Sequence, residues 1–131
     1  MNDVPPILIA EDEPLVRLSM VEALQDGGYT VVECAEGHSA IEQIDLAQHL
    51  RGLVTDVRMG SGPDGWQVAR QAREKFSTLA IIYVTVDSFS EWSTKGVPQS
   101  TILQKPFADA ELVAALANLL LAQQQHPPTE E

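Results

Sequence analysis

Short apolar runs alternate along the chain with longer stretches in which apolar residues recur every third or fourth position. That alternation is the signature of βαβ units and a parallel sheet. Ile7-Leu8-Ile9-Ala10 is apolar on both faces, as a central parallel strand must be. Thr30-Val31-Val32-Glu33-Cys34 is β-branched but more polar and is placed at an edge. Leu53-Val54-Thr55 runs into Asp56, Ala80-Ile81-Ile82-Tyr83-Val84 ends at Thr85, and Thr101-Ile102-Leu103-Gln104 precedes Lys105-Pro106-Phe107.

Each of these strands is followed by a predicted helix, five in all. The first starts near Pro14, stops at Gly27-Gly28 and carries Leu15, Leu18, Val21 and Leu24 on its inner side. The second spans about Ser39 to His49, with Ile41, Ile44 and Leu46 as its apolar stripe. The third follows the turn cluster Gly60-Ser61-Gly62-Pro63-Asp64-Gly65; Asp64 and Gln67 form a capping-box pattern, and Trp66, Val68, Ala69, Ala72 and Phe76 supply the buried side. Ser88 and Glu91 repeat the capping pattern before a fourth helix that Gly96-Val97-Pro98 ends within about two turns. The fifth opens near Asp109 with Leu112, Val113, Leu116, Leu119 and Leu120. The predicted class is α/β, a (βα)5 doubly wound, five-stranded parallel sheet.

At 131 residues the chain holds one domain, assigned to residues 1–125, with a disordered tail over 126–131. Asp plus Glu number 19 against 8 Lys plus Arg, a net charge of −11 that repels phosphate backbones and anionic lipid. Nucleic-acid and membrane partners are therefore not expected. Cys34 is the single cysteine, which excludes an intrachain disulfide and any CxxC motif. No basic leader and no bilayer-length apolar run is present, so a reducing cytoplasm is the expected location.

The candidate chemistry sits where strands end: Glu11-Asp12 after the first, Asp56 after the third, Thr85 after the fourth and Lys105 after the fifth. Ligands of open α/β sheets bind at that carboxyl edge, near the switch point. With strand order 2-1-3-4-5, the first and third strands are neighbours and three carboxylates converge. Two such charges about 4 Å apart repel by roughly 4 kcal/mol at an effective dielectric near 20, which a divalent cation offsets. All-oxygen donors suit Mg²⁺ better than Zn²⁺. Lys105 and Thr85 on the next two strands would neutralise and hydrogen-bond phosphoryl oxygens, leaving Asp56 as the nucleophile.

These residues resemble the receiver domain of two-component response regulators: Ile7 to Pro14 with Glu11-Asp12, Asp56-Val57-Arg58-Met59, Asp64-Gly65, Thr85, and Lys105-Pro106-Phe107, in the right order and at the right intervals. The resemblance implies a flavodoxin-like fold in which Asp56 accepts a phosphoryl group from a histidine kinase or phosphotransfer protein. It implies that Glu11, Asp12, Asp56 and the Arg58 carbonyl hold Mg²⁺, that Thr85 and Lys105 contact the phosphoryl oxygens, and that the Lys105-Pro106 bond is cis. The implied protein is a stand-alone regulator, not an enzyme, that signals to an unnamed downstream protein.

The chain departs from the family pattern at four points. Gly60 replaces a proline, the loop to Asp64-Gly65 is one residue longer, Val86 replaces a small residue after the threonine, and Ile102 replaces the aromatic three residues before the lysine. Trp92 is a candidate substitute for that aromatic. Arg58 and Asp87, two beyond the aspartate and two beyond the threonine, are expected to pair across the mouth and restrict water. Val86 and Ile102 keep open a second reading, a receiver-fold interaction module that does not switch. A third, an aspartyl-nucleophile phosphatase, would want an aspartate where Arg58 stands.

Overall fold

The computed structural model describes residues 4–125. Five parallel strands, β1 (Ile7–Ala10), β2 (Val31–Cys34), β3 (Gly52–Asp56), β4 (Ala80–Thr85) and β5 (Thr101–Gln104), form one sheet in the order β2-β1-β3-β4-β5. Helices α1 (Pro14–Asp26), α2 (Gly37–Leu46), α3 (Gly65–Lys75) and the short α4 (Trp92–Lys95) make the four crossovers, with a 3₁₀ turn at Phe89–Glu91 leading into α4, and α5 (Asp109–Gln125) follows the last strand. This is the doubly wound flavodoxin-like arrangement, with the apolar β1 in the interior and β2 at an edge. The predicted tail, 126–131, lies outside the described residues.

Period-two alternation splits the core between the two faces of the sheet. Leu8, Leu53, Ile81 and Tyr83 point to the face covered by α2 and α3, against Ile44, Trp66, Val68 and Ala72. Ile7, Ile9, Val54, Ile82 and Val84 point to the other face, against Met20 and Leu24 of α1 and Leu112 and Leu116 of α5. The β1 side chains are fully enclosed, which fixes the height at which Glu11 and Asp12 emerge.

Three predicted details are corrected. Leu15 and Leu18 are exposed, 80% and 51%, rather than inward. Their helical row continues into the polar Glu22 and Gln25, while the row Val16, Met20, Ala23 continues into the core. Second, α2 begins at Gly37 and ends at Leu46, not Ser39 to His49, and Leu46 is exposed while Ala40 and Ile44 are buried. The early start depends on Gly37, because a side chain there would collide with the Pro63 carbonyl oxygen of the lengthened β3–α3 loop. Third, the Ser88 side chain makes no cap; its N–H donates to Thr85 Oγ1 at 2.9 Å instead, and the helix shortens to a 3₁₀ turn plus four residues.

The other capping box is present. Asp64 Oδ1 accepts from Gln67 N at 2.9 Å and Gln67 Oε1 accepts from Asp64 N at 3.0 Å. This start is packed directly beneath the candidate site: Gly65 N donates to Val57 O at 2.8 Å, and any side chain at 65 would strike the Asp56 carbonyl. Asp64→Ala should therefore lower unfolding free energy by about 1 kcal/mol, with Gln67→Ala costing less. Urea titration measures both, and an Asp64→Ala midpoint equal to the native one would show that the loop, not the cap, sets the start of α3.

Candidate functional site

Each candidate side chain is delivered by the end of a strand: β1, β3 and β4 are buried, and β5 is a partly buried edge strand. Glu11 and Asp12 follow β1, Asp56 and Thr85 are the last residues of β3 and β4, and Lys105 follows β5. The strands are in register, with Asp56 beside Val84 and Thr85 beside Gln104, so their carboxyl ends form one ledge. Lys105 N donates to Thr85 O at 2.8 Å, and the Lys105-Pro106 peptide is cis, as in the family pattern.

The ledge brings together the acidic residues selected from the sequence. One ligand oxygen from each of Glu11, Asp12 and Asp56 lies within 4.8 Å of the other two. Glu11 is fully buried and Asp56 nearly so, whereas Asp12 is exposed. Lys105 Nζ sits among them, 2.8 Å from Glu11 Oε1, 3.3 Å from Asp56 Oδ2 and 3.9 Å from Glu13 Oε1. The first contact is a close ion pair that lies off the hydrogen-bonding directions. Glu11 Oε1 therefore accepts no hydrogen bond from a described residue, while Oε2 accepts from Glu13 N at 3.1 Å.

Burial pushes the Asp56 carboxyl up to about 7; the Glu11 charge adds to the rise and Lys105 opposes it. Lys105 itself is raised, because its contacts with Glu11 and Asp56 outweigh the desolvation that would lower it. The single ammonium thus leaves the carboxylates under-compensated. A buried carboxylate oxygen whose close partner is the Lys105 ammonium, beside two more oxygen donors, fits a hard divalent cation, and no thiolate or imidazole belongs to the cluster.

A cavity of about 330 Å³ opens onto the cluster, lined by Asp12, Asp56, Arg58, Thr85, Val86 and Lys105 among others. Thr85 and Arg58 thus reach the same space, with the Arg58 side chain turned to the rim. Its Nε donates to Asp87 Oδ1 at 3.1 Å and to Ser88 Oγ at 3.3 Å, which is the predicted pairing across the mouth. Both partners are more than half exposed, so the bridge is worth about 0–1 kcal/mol and opens readily. Val86 stands at the rim, 64% exposed.

Two participants were not assigned to the site from the sequence, where Ser88 reads only as a helix cap. Ser88 ties Thr85 to the β4–α4 loop through its N–H and joins the Arg58–Asp87 bridge through its hydroxyl. Arg17, one turn into α1, donates from Nη1 to the Glu11 carbonyl at 2.7 Å and from Nε to Glu33 Oε1 at 3.1 Å. The only signal for Arg17 was a lone cation in the first turns of a helix that follows two acids. Away from the ledge, Ile102 is buried with Tyr83 and Trp66, and Trp92 Nε1 donates to Ser100 Oγ at 2.9 Å. Ser100 Oγ donates to Val97 O at 2.6 Å, and Val97 N donates to Tyr83 OH at 3.0 Å.

The sequence matches the family model described as response regulator receiver domain over residues 7–117. The receiver protein CpdR of Brucella abortus is 32% identical over 88% of this chain and 97% of its own length. A crystal structure of a response regulator receiver protein from Sinorhizobium medicae superposes with a TM-score of 0.89 at 40% identity, covering 92% of this chain and 98% of that one. The receiver domain of sensor histidine kinase PA1611 from Pseudomonas aeruginosa, solved with a magnesium ion coordinated in its active-site cleft, gives 0.76 at 25% identity over 90% and 98% of the two chains. The chain spans 7% to 52% of the length of the first curated relatives it matches. Fold, sheet order and sequence agree on the outcome: this chain belongs to the response regulator receiver family of two-component signalling.

Proposed function

We propose that Asp56 accepts a phosphoryl group from a histidine kinase or histidine phosphotransfer protein, with Mg²⁺ bound at Glu11, Asp12, Asp56 and the Arg58 carbonyl, and that the phosphorylated protein signals through a protein contact. The observation that carries this reading is the convergence of three carboxylates within 4.8 Å around one lysine at the carboxyl edge of the sheet. The Mg²⁺ in the solved PA1611 receiver supports the metal assignment.

An Asp56 oxygen attacks phosphorus, the P–N bond of a phosphohistidine donor breaks, and its electron pair returns to the imidazole, which takes up a proton. Bound Mg²⁺ would offset the negative charge gathered on acceptor and phosphoryl oxygens. Lys105 stays beside Asp56 Oδ2, placed to pair with a phosphoryl oxygen. The Thr85 hydroxyl donates to another. Its oxygen now accepts from Ser88 N, so turning toward phosphate pulls on the loop that carries Phe89–Glu91 and α4. Trp92 couples that short helix to β5 through Ser100, a route that does not need an aromatic at position 102. The product adds about −2 charge near an already acidic surface, enough to bias a weakly held element. No described helix is long and apolar enough to cross a membrane, and cytoplasmic action without nucleic-acid contact is part of the proposal.

The decisive test is intact mass after incubation with acetyl phosphate. One metal-dependent phosphoryl adduct on the native protein, absent from Asp56→Asn, is expected. No adduct on either form would select the non-switching interaction module, and multiple turnover of donor a hydrolase.

The Arg58–Asp87 bridge partly covers the mouth of the cavity, so Asp87→Ala should shorten the aspartyl-phosphate half-life about threefold to tenfold, a barrier change of about 0.7–1.4 kcal/mol. Phosphoprotein decay followed by mass reads this, and an unchanged half-life would assign the bridge no role in excluding water.

In metal-free protein the raised Asp56 value means that its favourable contribution is complete below the ordinary carboxylate value of 3.8 and is lost as pH rises through about 7. Asp56→Asn should therefore be more stable than native by about 2–4 kcal/mol at pH 8, with a smaller margin at pH 5. Saturating Mg²⁺ should narrow the gap at pH 8. Melting curves of both proteins, with chelator and with Mg²⁺, test this, and a margin that does not change with pH would contradict the assigned crowding.

A further inference from the structure

Both backbone polar groups of Glu11 are held by elements outside its own strand. Its N–H donates to Cys34 O of β2 at 3.1 Å, and its carbonyl accepts from Arg17 Nη1 at 2.7 Å. The same guanidinium reaches Glu33 Oε1 of β2 at 3.1 Å with only a fifth of the Arg17 side chain exposed. One planar fork on α1 therefore spans the turn between β1 and α1, the segment that presents Glu11 and Asp12. The bonded atom is a carbonyl, not a carboxylate, so Arg17 leaves the acidic oxygens free.

We infer that Arg17 is a positioning residue for the divalent-cation site, locking the Glu11–Asp12 turn in the geometry that lets two residues of one turn converge with Asp56. This rests on the Mg²⁺ reading above. Arg17 has two opposing influences, and their signs separate positioning from simple charge. As a cation near an acidic cluster it repels Mg²⁺, so removing its charge alone would tighten binding. As the clamp on the Glu11 carbonyl it holds the turn, so removing its donors loosens the ligands and weakens binding.

Positioning dominates for physical reasons. The carbonyl is partly buried and bonded at short range by a charged donor, the strong class of hydrogen bond. Glu33 neutralises much of the guanidinium charge at long range. Groups that orient metal ligands are typically worth about tenfold to a hundredfold in metal affinity. A lysine keeps the charge and reaches the carbonyl with one donor, but it lacks the fork that also engages Glu33.

The test is Mg²⁺ affinity of the full chain by isothermal titration calorimetry at low ionic strength, which needs no phosphoryl transfer. Arg17→Met keeps an aliphatic stem and should weaken Mg²⁺ by about tenfold or more. Arg17→Lys should recover most of that loss, to within about threefold of native, and Glu33→Gln should remain within about twofold. Native-like melting in the absence of metal checks that each variant folds; if Arg17→Met does not fold, Arg17→Gln takes its place, with the same loss of about tenfold expected. Unchanged or tighter Mg²⁺ binding in the folded Met variant overturns the inference, as does equal loss in the Met and Lys variants. If the native chain itself takes up no Mg²⁺ while the acidic cluster is intact, the functional reading fails rather than the role of Arg17.

Discussion

The crowding of carboxylates against a single ammonium is the constraint around which the rest of this receiver is arranged. Three acidic oxygens within 4.8 Å of one another cost about 3 kcal/mol per ionised pair at an effective dielectric near 20. Lys105 relieves only part of it, and burial pushes Asp56 up to about 7. Such a cluster persists only on a rigid support. The fully enclosed β1 and β3, the Gly65 contact beneath the Asp56 carbonyl and the Arg17 clamp on the Glu11 carbonyl supply it. The same repulsion is what a divalent cation bound between these oxygens would offset.

Rigidity at the ledge contrasts with the side that carries α4. There the chain makes only a 3₁₀ turn and four helical residues, tied to the site by the Ser88–Thr85 hydrogen bond and to β5 by Trp92 and Ser100. A buried tyrosine on β4 holds the Val97 amide, so the loop after α4 is anchored to the core even though the helix is short. Ile102 of β5 is buried, and Trp92 ties α4 to Ser100, the residue that precedes this strand.

Much of this was legible in the residues because strands buried on both faces leave an unmistakable apolar run with a polar residue at its end. Glu11, Asp12, Asp56 and Thr85 mark such ends, Lys105 follows the partly buried edge strand β5, and the Asp64–Gln67 box was readable from local spacing alone. The misread details share a different cause. Leu15 and Leu18 sit at helical spacing, but periodicity does not say which of two adjacent rows faces the sheet, and Leu15 here lines an apolar groove of about 510 Å³ with Val86 and Phe107. The start of α2 and the failed cap at Ser88 were set by tertiary contacts, Gly37 against Pro63 and Ser88 against Thr85, that no local window contains. Arg17 escaped notice for the same reason, since its partner is a backbone carbonyl brought near only by the fold.

The central claim is that one cation occupies the space between Glu11, Asp12 and Asp56. Substituting Mn²⁺ for Mg²⁺ and recording amide NMR spectra tests it directly, because the paramagnetic ion broadens resonances according to distance. The account predicts that substoichiometric Mn²⁺ first erases the amides of Asp12, Asp56, Arg58 and Lys105, leaving those at the C-terminal end of α5 intact. Broadening that instead begins at exposed acids elsewhere on this chain, or spreads evenly over its surface, would contradict it.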